Sequence, residues 1–245
     1  MTIKQSSFTY TKRGRFCAII GKYLSVKTLF SFLNPPMSVI SVAVCLVPFL
    51  ILWLKKLGRV NVYLFIGIYW LANALCNLPD CLGESENSTL QLKIILLYNV
   101  LDAPLLLLIF YFASTGLKKR ILFYLFLFFL IFEPAVIAWK GYNLTSSTII
   151  VGVDGAVALI FSIWGMAEYF QKIEHNPFES AMGFAYAGFI FVYGFNIVTF
   201  VFSYLKHHTE GREANLFLYY FSLILAAFLT SMGMWRYAKP RLKHA

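Results

Sequence analysis

The amino-acid sequence predicts an all-α integral membrane protein: a bundle of seven transmembrane helices with short loops and an amphipathic N-terminal segment. Three observations carry this prediction. Hydrophobic residues make up 60% of the 245 residues, and the mean hydropathy is +0.71. Charged residues make up only 13% of the chain, against about 25% in ordinary soluble domains. The apolar residues also form long runs, which excludes a disordered chain, a coiled coil and an ordinary soluble enzyme.

The apolar runs set the number of predicted spans. A transmembrane helix needs about 20 mostly apolar residues. Seven stretches qualify, at roughly 37–54, 60–79, 94–117, 121–139, 146–167, 181–205 and 214–235. The loops between them are too short to hold a soluble domain. We therefore expect one seven-helix transmembrane domain over residues 37–236 and a short basic tail at 237–245.

Residues 1–36 form a separate basic, amphipathic segment. Its apolar part is interrupted by Lys22 and Lys27. No small-residue cleavage pattern follows, so the segment does not resemble a cleavable signal peptide. We expect a helix that lies in the membrane interface and ends at Asn34-Pro35-Pro36. The alternative is that translation begins at Met37 rather than at Met1.

The distribution of lysine and arginine predicts the orientation, because short cytoplasmic loops are enriched in both. One set of loops, with the C-terminal tail, carries eleven basic residues. The other set carries four, or ten with the N-terminal segment. The dense clusters at 55–59 and 118–120 favour a cytoplasmic C-terminus and an N-terminus outside.

The net charge of +10 comes from the basic residues of these clusters and of the N-terminal segment. The basic residues flank apolar runs instead of covering one face of a polar domain, and no nucleic-acid-binding motif accompanies them. We therefore expect the lipid bilayer, and no nucleic acid, as a partner. The sequence leaves the oligomeric state open.

Three acidic residues within the spans are the main candidates for a functional site. Asp102, Glu133 and Asp154 lie in the third, fourth and fifth spans. At 1.5 Å per residue, each is about 10–13 Å from the same side of the bundle. An acid in hydrocarbon costs about 2.5–3.5 kcal/mol even on a lenient scale, so such residues face the bundle interior or a wet cavity. The three together predict a polar, acid-lined cavity in one half of the bundle.

Neutral polar residues and a tryptophan extend the predicted cavity. Trp70 and Asn73 share a face of the second span, and Asn99 lies one turn before Asp102. Asn196 lies at a similar depth in the sixth span. The alternative for each asparagine is a structural hydrogen bond between helices. For the acids it is a protonated carboxyl bonded to a neighbour. We expect most of the many aromatic residues to face lipid and the membrane interface.

No cofactor, metal site or catalytic residue is predicted. The four histidines lie in loops or in the tail. The stretch Ala103–Leu108 is similar to the third helix of microbial rhodopsins. No lysine or arginine lies inside a predicted span, however, so the bundle has no lysine for a retinal Schiff base. No family is assigned on this stretch.

These residues leave three functions open. The first is a membrane protein that binds or transports a small molecule or protons in the acid-lined cavity. The second is an intramembrane enzyme that acts on a lipid-like substrate with two of the acids as general acid and base. The absence of a nucleophile–base pair counts against it. The third is a structural or assembly subunit of a membrane complex, whose polar residues hold helices together.

The predicted orientation can be tested with a reporter fused after Ala245. We expect a cytoplasmic reporter to be active there, because the basic loops lie on the same side as the tail. Activity of a periplasmic or lumenal reporter would reverse the orientation and move the acids to the cytoplasmic half.

Overall fold

The computed structural model describes residues 26–81, 89–141, 143–205 and 212–238. Within them lie seven α-helices: α1 (Val26–Leu54), α2 (Asn61–Cys81), α3 (Thr89–Ala113), α4 (Gly116–Lys140), α5 (Leu144–Phe170), α6 (Pro177–Leu205) and α7 (Arg212–Ala238). A short 3-10 turn, Leu57–Arg59, joins α1 to α2. All seven helices are long and apolar enough to cross a membrane. The predicted all-helical class is confirmed, and the described residues contain the predicted seven helices of membrane-spanning length.

The helices follow one another around the bundle in the order α1, α2, α3, α5, α6 and α7, and α7 returns to pack against α1. Helix α4 lies outside this ring, against α3 and α5. Its outer face carries exposed aromatic residues, among them Phe123, Tyr124, Phe128 and Trp139. Apolar side chains on this face fit contact with lipid, as expected from the sequence.

An aromatic cluster around Phe189 of α6 fills the centre of the bundle. The ring of Trp70 from α2 stacks on Phe189 with centroids 6.4 Å apart, and Tyr69 meets it edge-on at 5.4 Å. Phe110 of α3 meets it edge-on at 5.8 Å. Such pairs stabilise a fold by about 0.5–1.5 kcal/mol each beyond their burial. These aromatic side chains face the core instead of lipid, and the cluster packs α2, α3 and α6 together.

Helix α1 begins earlier than the sequence predicted. It starts at Val26 and continues through Pro35 and Pro36, where we had expected a helix end. Residues 1–25 of the predicted N-terminal segment lie outside the described residues. Prolines are tolerated in membrane helices where packing and hydroxyl groups compensate for the lost donors. Here the compensating contact is packing, because Phe30 lies on Phe217 of α7 with the ring centroids 5.2 Å apart. The Ser38 hydroxyl donates to the Pro35 carbonyl over 2.9 Å.

Helix α4 also begins before its predicted start, at Gly116, and this brings Lys118 into the bundle. Lys118 is only 6% exposed, and its Nζ lies 2.7 Å from Glu168 near the end of α5. The Lys118 ammonium also lies 5.3 Å from the ring centre of Trp164 and 5.8 Å from that of Tyr186. The expectation that no basic residue lies inside a span is therefore wrong. The cation is accommodated because an acid fifty residues away neutralises it.

Close packing between α6 and α7 predicts the effect of one glycine substitution. A Cβ on Gly233 would lie 2.6 Å from the Ala181 carbonyl oxygen, a backbone atom. We expect Gly233→Ala to lower the free energy of unfolding by about 1–3 kcal/mol, because the two helices must separate. Chemical unfolding in bicelles measures this.

Gly194→Ala is the matched control, since no atom lies within 4 Å of the added Cβ. Alanine favours a helix over glycine by about 1 kcal/mol. The control should therefore unfold at the same free energy as the wild type or a higher one. Equal effects of the two substitutions would contradict the close packing.

The Lys118–Glu168 pair provides a second stability prediction. Glu168→Gln leaves a buried ammonium without its counter-charge, which costs about 3–5 kcal/mol in a fully buried pair. Because Glu168 is 47% exposed, we expect a smaller loss of about 1–2 kcal/mol. The control is Glu179→Gln, which removes the charge from the exposed ion pair with Lys172 and keeps an acceptor for the Asn176 amide. The melting temperature should therefore stay unchanged. Equal melting temperatures for both variants would show that the buried pair does not stabilise the bundle.

Candidate functional site

Three carboxyl groups on neighbouring helices form the candidate site, the acid cluster of Asp102 (α3), Glu133 (α4) and Asp154 (α5). Glu133 and Asp154 are buried, with 1% and 2% exposure, and Asp102 is half-buried. Asp102 acts electrostatically on Glu133, and both act on Asp154. In the part of the chain that the structure describes, none of the three forms a salt bridge. The cluster therefore concentrates acidic groups without a protein cation against them.

Two tyrosines hold the Asp102 carboxyl. The Tyr98 hydroxyl lies 2.6 Å from Asp102 Oδ1, one helical turn away on α3. The Tyr193 hydroxyl, from α6, donates to Asp102 Oδ2 over 2.8 Å. Both carboxyl oxygens of Asp102 therefore have a hydroxyl partner.

These contacts belong to a larger set, the tyrosine network, which consists of Tyr69, Asn73, Tyr98, Asp102 and Tyr193. The hydroxyls of Tyr69 and Tyr193 are 3.0 Å apart. The Tyr98 hydroxyl lies 2.8 Å from Asn73 Oδ1, and Asn73 Nδ2 donates to the Tyr69 carbonyl over 3.1 Å. The network thus joins α2, α3 and α6 around Asp102.

Polar contacts continue along α2 toward its C-terminal end. Asn77 Nδ2 donates to the Asn73 carbonyl over 2.8 Å, and Asn77 Oδ1 accepts from Tyr219 of α7 over 3.1 Å. Near the end of the helix, Tyr220 donates to Asp80 over 3.0 Å. Hydrogen-bonding groups therefore extend from Asp102 to the end of the bundle that holds the α2–α3 connection.

The other two acids of the cluster lack such partners. Both carboxyl oxygens of Asp154 and Oε1 of Glu133 are buried and form no hydrogen bond within the described residues. Asp154 precedes Gly155, whose added Cβ would lie 3.7 Å from Ile197 and 3.9 Å from Tyr193 of α6. This part of α5 therefore packs beside the helix that supplies Tyr193. An ionised carboxylate buried without a partner is strongly unfavourable, so these groups require a proton, water or a cation.

The remaining predicted cavity residues have different surroundings. Asn99 donates to the Ser147 hydroxyl of α5 over 2.6 Å, which is an interhelical contact. Trp70 is fully buried in the aromatic cluster, and within the described residues its indole nitrogen has no acceptor. Asn196 is half-buried on α6, about one turn after Tyr193. The structure thus brings Asn73 and Asp102 into one network, and a binding role for any of these residues stays a prediction.

The tyrosines of the site were not predicted from the sequence. Tyr69 lies four residues before Asn73, and Tyr98 lies four before Asp102. This spacing places each pair on one helix face and could have indicated a local contact. Tyr193 reaches Asp102 from a helix 91 residues away, and no local pattern indicates that contact.

A groove of about 580 Å³ lies elsewhere, at the α1–α2 connection. Apolar residues form its walls and two basic residues contribute to its edge: Phe49, Leu52, Trp53, Leu54, Lys56, Gly58 and Arg59. Asp102 lies eleven residues before the end of α3, about 16 Å from this end of the bundle. The groove is therefore distinct from the acid-lined cavity predicted from the sequence.

Comparison of the chain with protein-family models, with curated proteins and with solved structures found no match in any of the three.

Proposed function

We propose that this chain binds protons or a small cation at the acid cluster and passes them across the membrane. The observation that carries the proposal is the environment of Asp154 and Glu133. Their buried carboxyl oxygens have no hydrogen-bond partner within the described residues. Each of the two acids would be repelled by a neighbouring acid if both members of the pair were ionised. Acids inside membrane bundles mark ion and proton pathways by default.

The charge of the cluster supports a cationic ligand over a neutral or anionic one. The three carboxyls are coupled electrostatically, and ionised carboxyls repel one another in a medium of low dielectric. Lys118, the buried lysine on α4, is paired with Glu168. It lies fifteen residues before Glu133, about 22 Å along the helix. Neutralisation of the cluster therefore requires charge from outside the described part of the protein, as protons or as a bound cation.

The surroundings of Asp102 support access of a proton or cation to this residue from the side of the α2–α3 connection. Toward the α2–α3 connection, Asn73, Asn77 and Asp80 offer polar groups at successive turns of α2. In the other direction, α3 presents fully buried apolar residues, among them Leu106, Leu107 and Phe110. Polar groups on one side of Asp102 and buried apolar residues on the other support proton entry from the side of the α2–α3 connection.

Flux into proteoliposomes tests the proposal. We expect wild-type protein to dissipate an imposed pH gradient, either alone or with a small amine or alkali cation present. Asp154→Asn and Glu133→Gln preserve shape and remove the titrating group, so each should lower the rate by about tenfold or more. Glu174→Gln changes an exposed loop acid and should leave the rate unchanged.

Folding of each variant is checked by its melting temperature and elution volume. If the variants do not fold, a hydrophobic carbodiimide on wild-type protein replaces them, because it modifies protonated carboxyls within the membrane. Modification of the acid cluster with loss of flux supports the proposal. Unchanged flux in a folded Asp154→Asn, Glu133→Gln double variant contradicts it, as does a wild-type protein without flux.

A further inference from the structure

We infer that Asp102 carries a proton in this structure and that Tyr98 is the positioning residue whose hydrogen bond changes when that proton is lost. The observation is that one tyrosine hydroxyl lies within hydrogen-bond distance of two acceptor oxygens. Tyr98 Oη lies 2.6 Å from Asp102 Oδ1 and 2.8 Å from Asn73 Oδ1. Both neighbours are hydrogen-bond acceptors when the carboxyl is ionised, and a tyrosine hydroxyl has one proton to donate.

The orientation of the Asn73 amide fixes one of these two contacts. Its Nδ2 donates to the Tyr69 carbonyl over 3.1 Å. A flipped amide would place Oδ1 against that carbonyl oxygen, which has no proton to share. Oδ1 therefore faces Tyr98 as an acceptor, and the Tyr98 proton goes to Asn73.

The second contact then requires a proton from the Asp102 side. An ionised Asp102 Oδ1 at 2.6 Å from the Tyr98 oxygen, with no proton between them, would be repelled. A protonated Oδ1 donates to Tyr98 instead. On the other carboxyl oxygen, Tyr193 donates to Oδ2, and Tyr69 donates to Tyr193 in turn. With Asp102 protonated, every oxygen–oxygen contact in the tyrosine network contains one proton. No two acceptor oxygens then face each other without a proton between them.

Among the residues that the structure describes, the groups that interact with Asp102 include no cation that would favour its ionised form. The titratable groups that interact with it come from five helices: Tyr69 and Cys76 (α2), Tyr98 (α3), Glu133 (α4), Asp154 (α5) and Tyr193 (α6). If Asp102 loses its proton, Tyr98 must turn its own proton toward the carboxylate. The hydrogen bond from Tyr98 to Asn73 is then lost, and with it a side-chain link between α3 and α2.

The role of this proton in transport rests on the proposed function, because Asp102 would be a place where a transported proton resides. The proton itself has a separate readout. The chain contains three aspartates, Asp80, Asp102 and Asp154. Infrared spectra of protein with carbon-13-labelled aspartate, compared with unlabelled protein, therefore isolate three carboxyl groups.

We expect the difference spectrum of wild type against Asp102→Asn, in lipid at neutral pH, to contain the C=O stretch of a protonated acid. The band should move to lower frequency in D₂O. Tyr98→Phe removes the acceptor of the Asp102 proton, so the band should move to higher frequency. Tyr219→Phe, which removes a hydroxyl from Asn77 instead, is the matched control and should leave the band in place.

Carboxylate bands in place of the protonated band would overturn the inference. A protonated band that Tyr98→Phe leaves unmoved would overturn the role of Tyr98. If Asp102→Asn does not fold, the labelled spectra of wild type and Tyr98→Phe make the same comparison without it. A protonated band in a protein without flux would retain this inference and remove the proposed function. Flux with an ionised Asp102 would do the reverse.

Discussion

The seven helices are long and apolar enough to cross a bilayer, and a bilayer offers no water to a polar group inside it. Each buried polar side chain must find a partner in the protein or remain neutral. Asp102 meets the constraint through the hydroxyls of Tyr98 and Tyr193, and Lys118 meets it through Glu168. Glu133 and Asp154 have no comparable partner in the part of the chain described. The contrast between satisfied and unsatisfied acids, rather than the number of acids, distinguishes a candidate site from structural hydrogen bonding.

The helices that carry the acid cluster differ in how closely they are packed. The aromatic cluster around Phe189 joins α2, α3 and α6, which are the same helices that supply the tyrosine network. Gly188 and Gly233 allow α6 and α7 to approach until an added Cβ would meet backbone oxygen. Helix α4, which carries Glu133, packs from outside against α3 and α5. The cluster therefore combines a firmly held acid, Asp102, with an acid on a peripheral helix.

Much of the fold could be predicted from the sequence, because apolar runs of membrane length are a strong signal. The ends of the helices were harder to predict. Pro35-Pro36 and the basic residues before position 121 indicated helix boundaries, but α1 continues through the prolines and α4 begins at Gly116. Asp102 and Asp154 stood out because an acid in hydrocarbon is costly wherever it points. Tyr193 did not, because tyrosine suits a core, an interface or a hydrogen bond equally well, and only the packing of α6 against α3 decides among them.

A density map of the protein in a lipid nanodisc, at a resolution that shows ordered water, tests whether the acid cluster binds protons or a cation. We expect density for water or a bound cation within hydrogen-bond distance of the Asp154 carboxyl, continuous with the polar groups near Asp102. A layer of apolar side chains packed between the Asp154 and Glu133 carboxyls, or carboxyls that face lipid, would contradict the proposed site.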